Sequence, residues 1–255
     1  MLRLIALACA LMFGPAALKA ENVVLGLSQN KVSITTNFDG SEILIFGAVK
    51  REAPLPEGDP LEVIIAVQGP STPLTVRRKE RRFGIWINTD TVEVDSAPAF
   101  YAVATSAPFR QAISDTEDLR HRISIPRAIR SVGAPVDVGN AADFTRAVIR
   151  IRKENGLYQL QENAVEVSEQ TLFRASIALP ANLTEGDYET RIFLTRGGAV
   201  VSDYSTVIDV RKVGLERFLF SLSREQPLVY GLLSLAIAIA AGWGASAAFR
   251  IFQRN

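Results

Sequence analysis

Between positions 77 and 82 the chain places five cations in six residues, Arg77-Arg78-Lys79-Glu80-Arg81-Arg82. Guanidinium forks and an ammonium this close together suit anionic lipid headgroups, an acidic protein surface or a small oxyanion such as sulfite, through charge-assisted hydrogen bonds. As a loop joining two strands, the run reads more readily as a solvated hairpin tip. It has no glycine-rich nest beside it to cradle a phosphate. Trp86, Phe100 and Tyr101 can line a ligand groove or, as aromatics at strand positions usually do, fill a core.

Catalytic chemistry is poorly supplied. His121 is the only histidine, with Asp115, Glu117 and Asp118 just before it. If that segment is helical, Asp118 and His121 share a face. One imidazole with carboxylates falls short of the three or four ligands and supporting shell of an ordinary metal site. A Ser-His-Asp triad would need this same histidine, and no Gly-x-Ser-x-Gly elbow occurs. The only cysteine, Cys9, lies in an N-terminal apolar run too short before it for a lipoprotein signal. The rest of the chain therefore lacks a thiol nucleophile, a cysteine metal site and a disulfide. The residues point to a non-enzymatic protein with no catalytic residues, metal or cofactor. Asn182-Leu183-Thr184 matches a glycosylation sequon but reads as a turn.

The elements that position these residues begin with the two ends. Arg3, the apolar run Leu4 to Phe13 and Ala16-Ala17-Leu18-Lys19-Ala20 form a signal peptide over 1–20. From Gln226 to Phe249 no side chain is charged, which is enough to cross a bilayer as a helix, with Tyr230 and Trp243 towards its ends. Arg250 and Arg254 close a tail over 250–255. Arg211, Lys212, Arg217 and Arg224 precede the span, so a local charge count would keep the large region in the cytoplasm. The signal peptide overrides that count, because long domains translocate largely regardless of charge. The expected topology is a bacterial inner-membrane protein, its bulk periplasmic and its C-terminus cytoplasmic. Without Arg3 and Lys19, the 28 basic residues become 26 against 27 acidic, which argues against nucleic acid as a partner. Within the span Ala241, Gly242, Ala245 and Ser246 repeat small residues at four-residue spacing, the pattern that lets helices approach closely. The expected partners are the membrane and another integral membrane protein.

Residues 21–107 carry short apolar or alternating runs: 23–27, 32–36, 43–49, 61–67, 85–87 and 101–105. Asn, Asp, Gly and Pro clusters separate them, the spacing of a β-sandwich. Residues 108–156 form a helical insert or connector. Pro108 opens a short helix, and a longer one runs from an N-cap at Asn140 to a stop at Gly156, with Phe144, Ala147, Val148 and Ile151 on one face. Residues 157–212 return to strands, including 171–179, 188–195 and 200–210, as a membrane-proximal β domain. There Leu179-Pro180 followed by Gly186-Asp187-Tyr188 resembles a tyrosine corner, whose phenol bonds to backbone a few residues upstream. Residues 213–225 are a juxtamembrane helix with Leu215, Phe218, Leu219 and Leu222 on one face, suited to the membrane interface or to the neighbouring β domain. The fold class is mainly β: two immunoglobulin-like β-sandwich domains with a helical insert, plus one C-terminal transmembrane helix over 226–249. A single β domain with an insert remains the alternative.

Several stretches carry a resemblance: Phe38-Asp39-Gly40-Ser41-Glu42-Ile43 with Phe46-Gly47-Ala48; the basic run with Gly84-Ile85-Trp86-Ile87-Asn88; Phe100 to Ala104; Phe144 to Ile149; Leu172-Phe173-Arg174-Ala175; and Leu179-Pro180-Ala181-Asn182. Through them the chain resembles the alpha-proteobacterial transmembrane protein family known as Alph_Pro_TM nearly end to end. The resemblance implies no catalytic residues. It implies, through association with sulfite or organosulfonate exporters, a periplasmic accessory to a sulfur-anion permease. The alternative function is a periplasmic small-anion binding module that uses Arg77, Arg78, Lys79, Arg81 and Arg82.

Overall fold

The computed structural model describes residues 22–35, 38–50, 58–131 and 141–252. The signal peptide expected over 1–20, the N-cap expected at Asn140 and residues 253–255 of the expected tail lie outside them. In chain order the first strands are β1 (Asn22–Leu27), β2 (Lys31–Ile34), β3 (Ser41–Lys50), β4 (Leu61–Gln68), β5 (Ser71–Arg82), β6 (Ile85–Pro98) and β7 (Tyr101–Thr105). Helices α1 (Phe109–Ala112), α2 (Asp115–His121), α3 (Ile125–Ala128) and α4 (Ala141–Glu154) follow. Then come β8 (Tyr158–Gln161), β9 (Glu166–Ser168), β10 (Leu172–Leu179), β11 (Gly186–Arg196) and β12 (Ala199–Lys212), and helices α5 (Leu215–Glu225) and α6 (Pro227–Phe252). The chain is mainly β with one C-terminal apolar helix.

The strands form a four-stranded sheet of order β1-β3-β10-β9, a six-stranded sheet of order β2-β12-β11-β4-β7-β8, and the β5-β6 hairpin. In β3 the side chains alternate, burying Ile43, Ile45 and Val49, as a sheet with one covered face requires. Strands β4 and β7 are buried on both faces, with Val63, Ile64, Ile65 and Ala66 all inaccessible. Ile64, Ala66, Tyr101 and Val103 turn towards Val94 and Ala97 of β6 and towards Ile113, Ile123 and Val148 of the helical stretch.

This pairing corrects the expected division into two separate β domains. β3 pairs with β10 and β4 with β11, so strands from before and after the helical stretch share both sheets. β7 and β8 lie parallel. Parallel neighbours cannot be joined by a tight turn, and the helices between them are the crossover that this geometry demands. Residues 108–156 therefore connect two strands of one sheet.

Helix α4 ends as its sequence suggests. Gly156 has φ +70°, its N–H donates to the Lys153 carbonyl at 3.0 Å, and the Leu157 N–H donates to Arg152 at 2.8 Å, a Schellman stop. Phe144 and Val148 are buried, but Ile151 faces solvent. Arg152 takes the inward position: its Nη1 donates to the Ala99 carbonyl at 2.7 Å and its guanidinium lies 5.9 Å from the Tyr158 ring. A long side chain with a bonded head group covers apolar surface that the simple helical face assigned to isoleucine.

Contacts divide the chain into one unit of residues up to 30 and 39–209, and a second of 31–38 and 210–255. The first holds the four-stranded sheet, the hairpin, α1 to α4 and most of the larger sheet. In the second, the Val213 N–H donates to the Ile34 carbonyl at 2.8 Å, and α5 and α6 follow.

Candidate functional site

The basic run is not a loop. Residues 77–82 are the distal part of β5, and the turn is Phe83-Gly84. Strand alternation divides the cations between two faces. Arg78 turns inward, 3.4 Å from the Asp90 carboxylate and with its guanidinium 5.0 Å from the Phe144 ring centre. Arg82 pairs with Glu80 at 3.3 Å. Arg77, Lys79 and Arg81 are exposed, and among the described residues they form no ion pair.

The hairpin's base is held by Val92 and Val94, both inaccessible, and by Leu74 and Val76 against the core. Beyond the Arg78–Asp90 pair most of its side chains are exposed. Phe83 is 105% exposed, Trp86 67% and Ile85 65%. Phe100 and Tyr101, by contrast, are 0% exposed, so the three aromatics considered together in the sequence divide into two core residues and one surface residue. Phe83 and Gly84 have φ +51° and +85°, as a two-residue turn of type I′ requires.

A second polar cluster lies in the crossover. Asp118 does not pair with His121. Its Oδ1 accepts from the N–H groups of Ile123, at 3.2 Å, and Ser124, at 2.6 Å, holding the chain as it leaves α2. His121 Nε2 is 3.3 Å from Glu117, and its ring meets Phe193 edge-on at 5.3 Å. Among the described residues no three His, Cys, Asp or Glu side chains gather where they could hold a metal. Arg191 on β11 donates from Nη1 to the His121 carbonyl at 2.8 Å and from Nη2 to the Tyr101 hydroxyl at 3.2 Å. The Tyr101 hydroxyl in turn donates to Ile123 at 2.8 Å.

Beside this network a cleft of about 660 Å³ is lined by Arg122, Arg127, Arg130 and Arg191, with Glu189 the only carboxylate among the described residues that line it. Four arginines beside one carboxylate give this lining a net positive charge, which favours an anion there. Sequence reading missed this cleft because Arg191 joins it from far along the chain. A signal was available in residues 119–131, which hold four arginines and no acid.

The phenol of Tyr188 donates to the Thr184 carbonyl at 2.7 Å, is almost fully buried, and packs 5.9 Å from the Phe100 ring. Burial pushes its pKa from 10.0 to about 12. Tyr188→Phe keeps the ring and removes the donor, leaving the Thr184 carbonyl short of its partner. We expect a loss of ~1–3 kcal/mol in the β unit, read as a lower melting temperature with membrane insertion intact. An unchanged melting temperature would mean that the bond contributes nothing.

In α6 the stretch Pro227–Ser246 is long and apolar enough to cross a membrane, and none of it is buried. Ser234 returns its hydroxyl to the Tyr230 carbonyl at 2.9 Å, so this donor is not left bare in lipid. Ala241, Gly242, Ala245 and Ser246 are exposed on it, and a Cβ at Gly242 would meet nothing within 4 Å. On α5 Leu219 and Leu222 are half-buried while Phe218 and Phe220 are exposed, so its apolar surface is wider than the single face expected. The Leu215 side chain lies outside the described residues.

A family model described as "Putative transmembrane protein (Alph_Pro_TM)" matches residues 22–251. No curated protein matches the chain.

Proposed function

Because this chain belongs to the Alph_Pro_TM family of transmembrane proteins, we propose that it is a tethered, non-enzymatic interaction subunit. Its β unit is immunoglobulin-like and periplasmic, α6 is its single inner-membrane span, and the residues after the span are cytoplasmic. The Tyr188–Thr184 bond, placed as in a tyrosine corner, supports the sandwich assignment. The observation that carries the proposal is the unpartnered span: α6 is exposed along the whole of Pro227–Ser246 and presents small residues at four-residue spacing. Its partner is another integral membrane protein, of which a sulfite or sulfonate exporter is the class implied by the family resemblance.

In lipid, apolar surface alone does not draw helices together, so close backbone approach must do so. Gly242→Leu has room within the chain itself and is favourable in a bilayer, but it blocks that approach. The variant is expected to stay in the membrane fraction and to lose its co-purifying membrane partner, while Leu232→Ile does neither. Undiminished co-purification would reduce α6 to a tether.

Small-anion capture is the second reading. It is favoured by Arg77, Lys79 and Arg81, exposed and without ion pairs among the described residues, and by the arginine-lined cleft. Calorimetry of the detergent-solubilised chain with sulfite and sulfate tests it, and absence of heat with both would remove it.

A further inference from the structure

The hairpin's outer end combines features that a free surface would not favour. Phe83, Ile85 and Trp86 are largely bare to water at the hairpin's turn. Phe83 sits at a left-handed φ of +51°, a conformation that asparagine or glycine adopts readily and a bulky aromatic does not. With its ring fully exposed, no burial among the described residues compensates that strain. Just behind the tip stand Arg77, Lys79 and Arg81, without ion-pair partners among the described residues. The finger extends four residues past the Arg78–Asp90 pair, or about 14 Å at ~3.4 Å per residue. Its base is clamped in the core, so it is held out from the body of the unit.

We propose that this end is a membrane-contacting finger: Phe83, Ile85 and Trp86 seat in the interfacial layer of an anionic bilayer, and Arg77, Lys79 and Arg81 rest on its headgroups. Aromatic rings favour the membrane–water boundary, and cations beside them gain from an anionic surface. An exposed apolar turn needs no matching cavity in a fluid layer. A bilayer is always at hand, because the same chain carries a span. The contact requires lipid only and is independent of any protein partner of α6.

The chain has two tryptophans, Trp86 and Trp243. In full-length Trp243→Phe, Trp86 is the sole reporter. One arm reconstitutes this chain in bilayers with brominated acyl chains. The other holds it in nanodiscs and adds separate brominated vesicles. Each arm compares phosphatidylcholine alone with phosphatidylcholine containing phosphatidylglycerol. In at least one arm, Trp86 emission shifts to the blue and is quenched when phosphatidylglycerol is present. The quenching weakens near 1 M salt, where the screening length falls to about 3 Å. Phe83→Asn suits the turn, so it folds at least as well by circular dichroism while losing most of the quenching. Emission that stays at the exposed wavelength in both arms overturns the proposal. So does quenching indifferent to phosphatidylglycerol, or shielding of Trp86 that appears only in native membranes containing other proteins. None of these outcomes depends on whether Gly242→Leu releases a partner.

Discussion

Raising the pH from 10 to 12 removes several kcal/mol of stability from the β unit. Burial raises the phenols of Tyr101, Tyr158 and Tyr188 from 10.0 to about 12 each. All three are nearly inaccessible, and each donates to a backbone carbonyl: Ile123, Pro98 and Thr184 respectively. Below pH 10 the folded and unfolded chains both keep these protons, and the stability of the fold is complete. Between 10 and 12 the unfolded chain releases protons that the fold retains, so the equilibrium moves towards unfolding; above 12 the contribution is gone. Two pKa units correspond to ~2–3 kcal/mol for each phenol. Together they are comparable with the whole stability of an ordinary domain, ~5–15 kcal/mol. The melting temperature of the detergent-held chain should fall steeply across this window, with the buried phenols ionising as unfolding proceeds. A melting temperature level from pH 9 to 12 would refute it.

The second large effect concerns Gly47. In the four-stranded sheet Leu25, Gly47 and Phe173 lie side by side on β1, β3 and β10. The Phe173 ring fills the space that a side chain at Gly47 would take: a Cβ there would overlap the ring and come within 2.9 Å of the Val24 carbonyl. Gly47→Val therefore forces the ring or the neighbouring strand aside and is expected to cost about 3 kcal/mol. Phe173→Ala, which empties a site that is only 2% exposed, should cost ~3–5 kcal/mol. In the double variant the overlap with the ring is gone, so the total should fall short of the sum, as residues in contact behave. Strict additivity in denaturant melts would mean that glycine and ring do not share that space.

Much of this fold is legible because apolar periodicity records burial. The runs at 43–49 and 61–67 are β3 and β4, and Gly156 stops α4 through its left-handed φ. β5 was hidden because its residues face water or charge along most of its length, and a strand that buries little carries little hydrophobic signal. The sheet order was hidden for a different reason. Pairing of β3 with β10 depends on the global arrangement and leaves no local mark. The basic run was visible as composition. Which of its cations are tied, Arg78 and Arg82, and which are free depended on strand parity and on Asp90, Glu80 and Phe144 being near. The arginine-lined cleft needed both the crossover and β11, so only half of it could be seen in one stretch of chain.

The joining of early strands to late ones sets a timetable. Glu42 on β3 and its hydrogen-bond partner Ser176 on β10 are 134 residues apart. Synthesis proceeds from the N-terminus at ~5–20 residues per second, so β3 waits about 7–27 s for β10 to be made. During that interval β1 can cover one edge of β3, while the other edge, carrying Ile43-Leu44-Ile45-Phe46, has no native partner. A bare apolar strand edge of this kind templates intermolecular pairing. Long-range closures of this kind also make folding slow once the chain is complete. A product truncated before residue 172 leaves that edge of β3 without its native partner and is expected to aggregate through it.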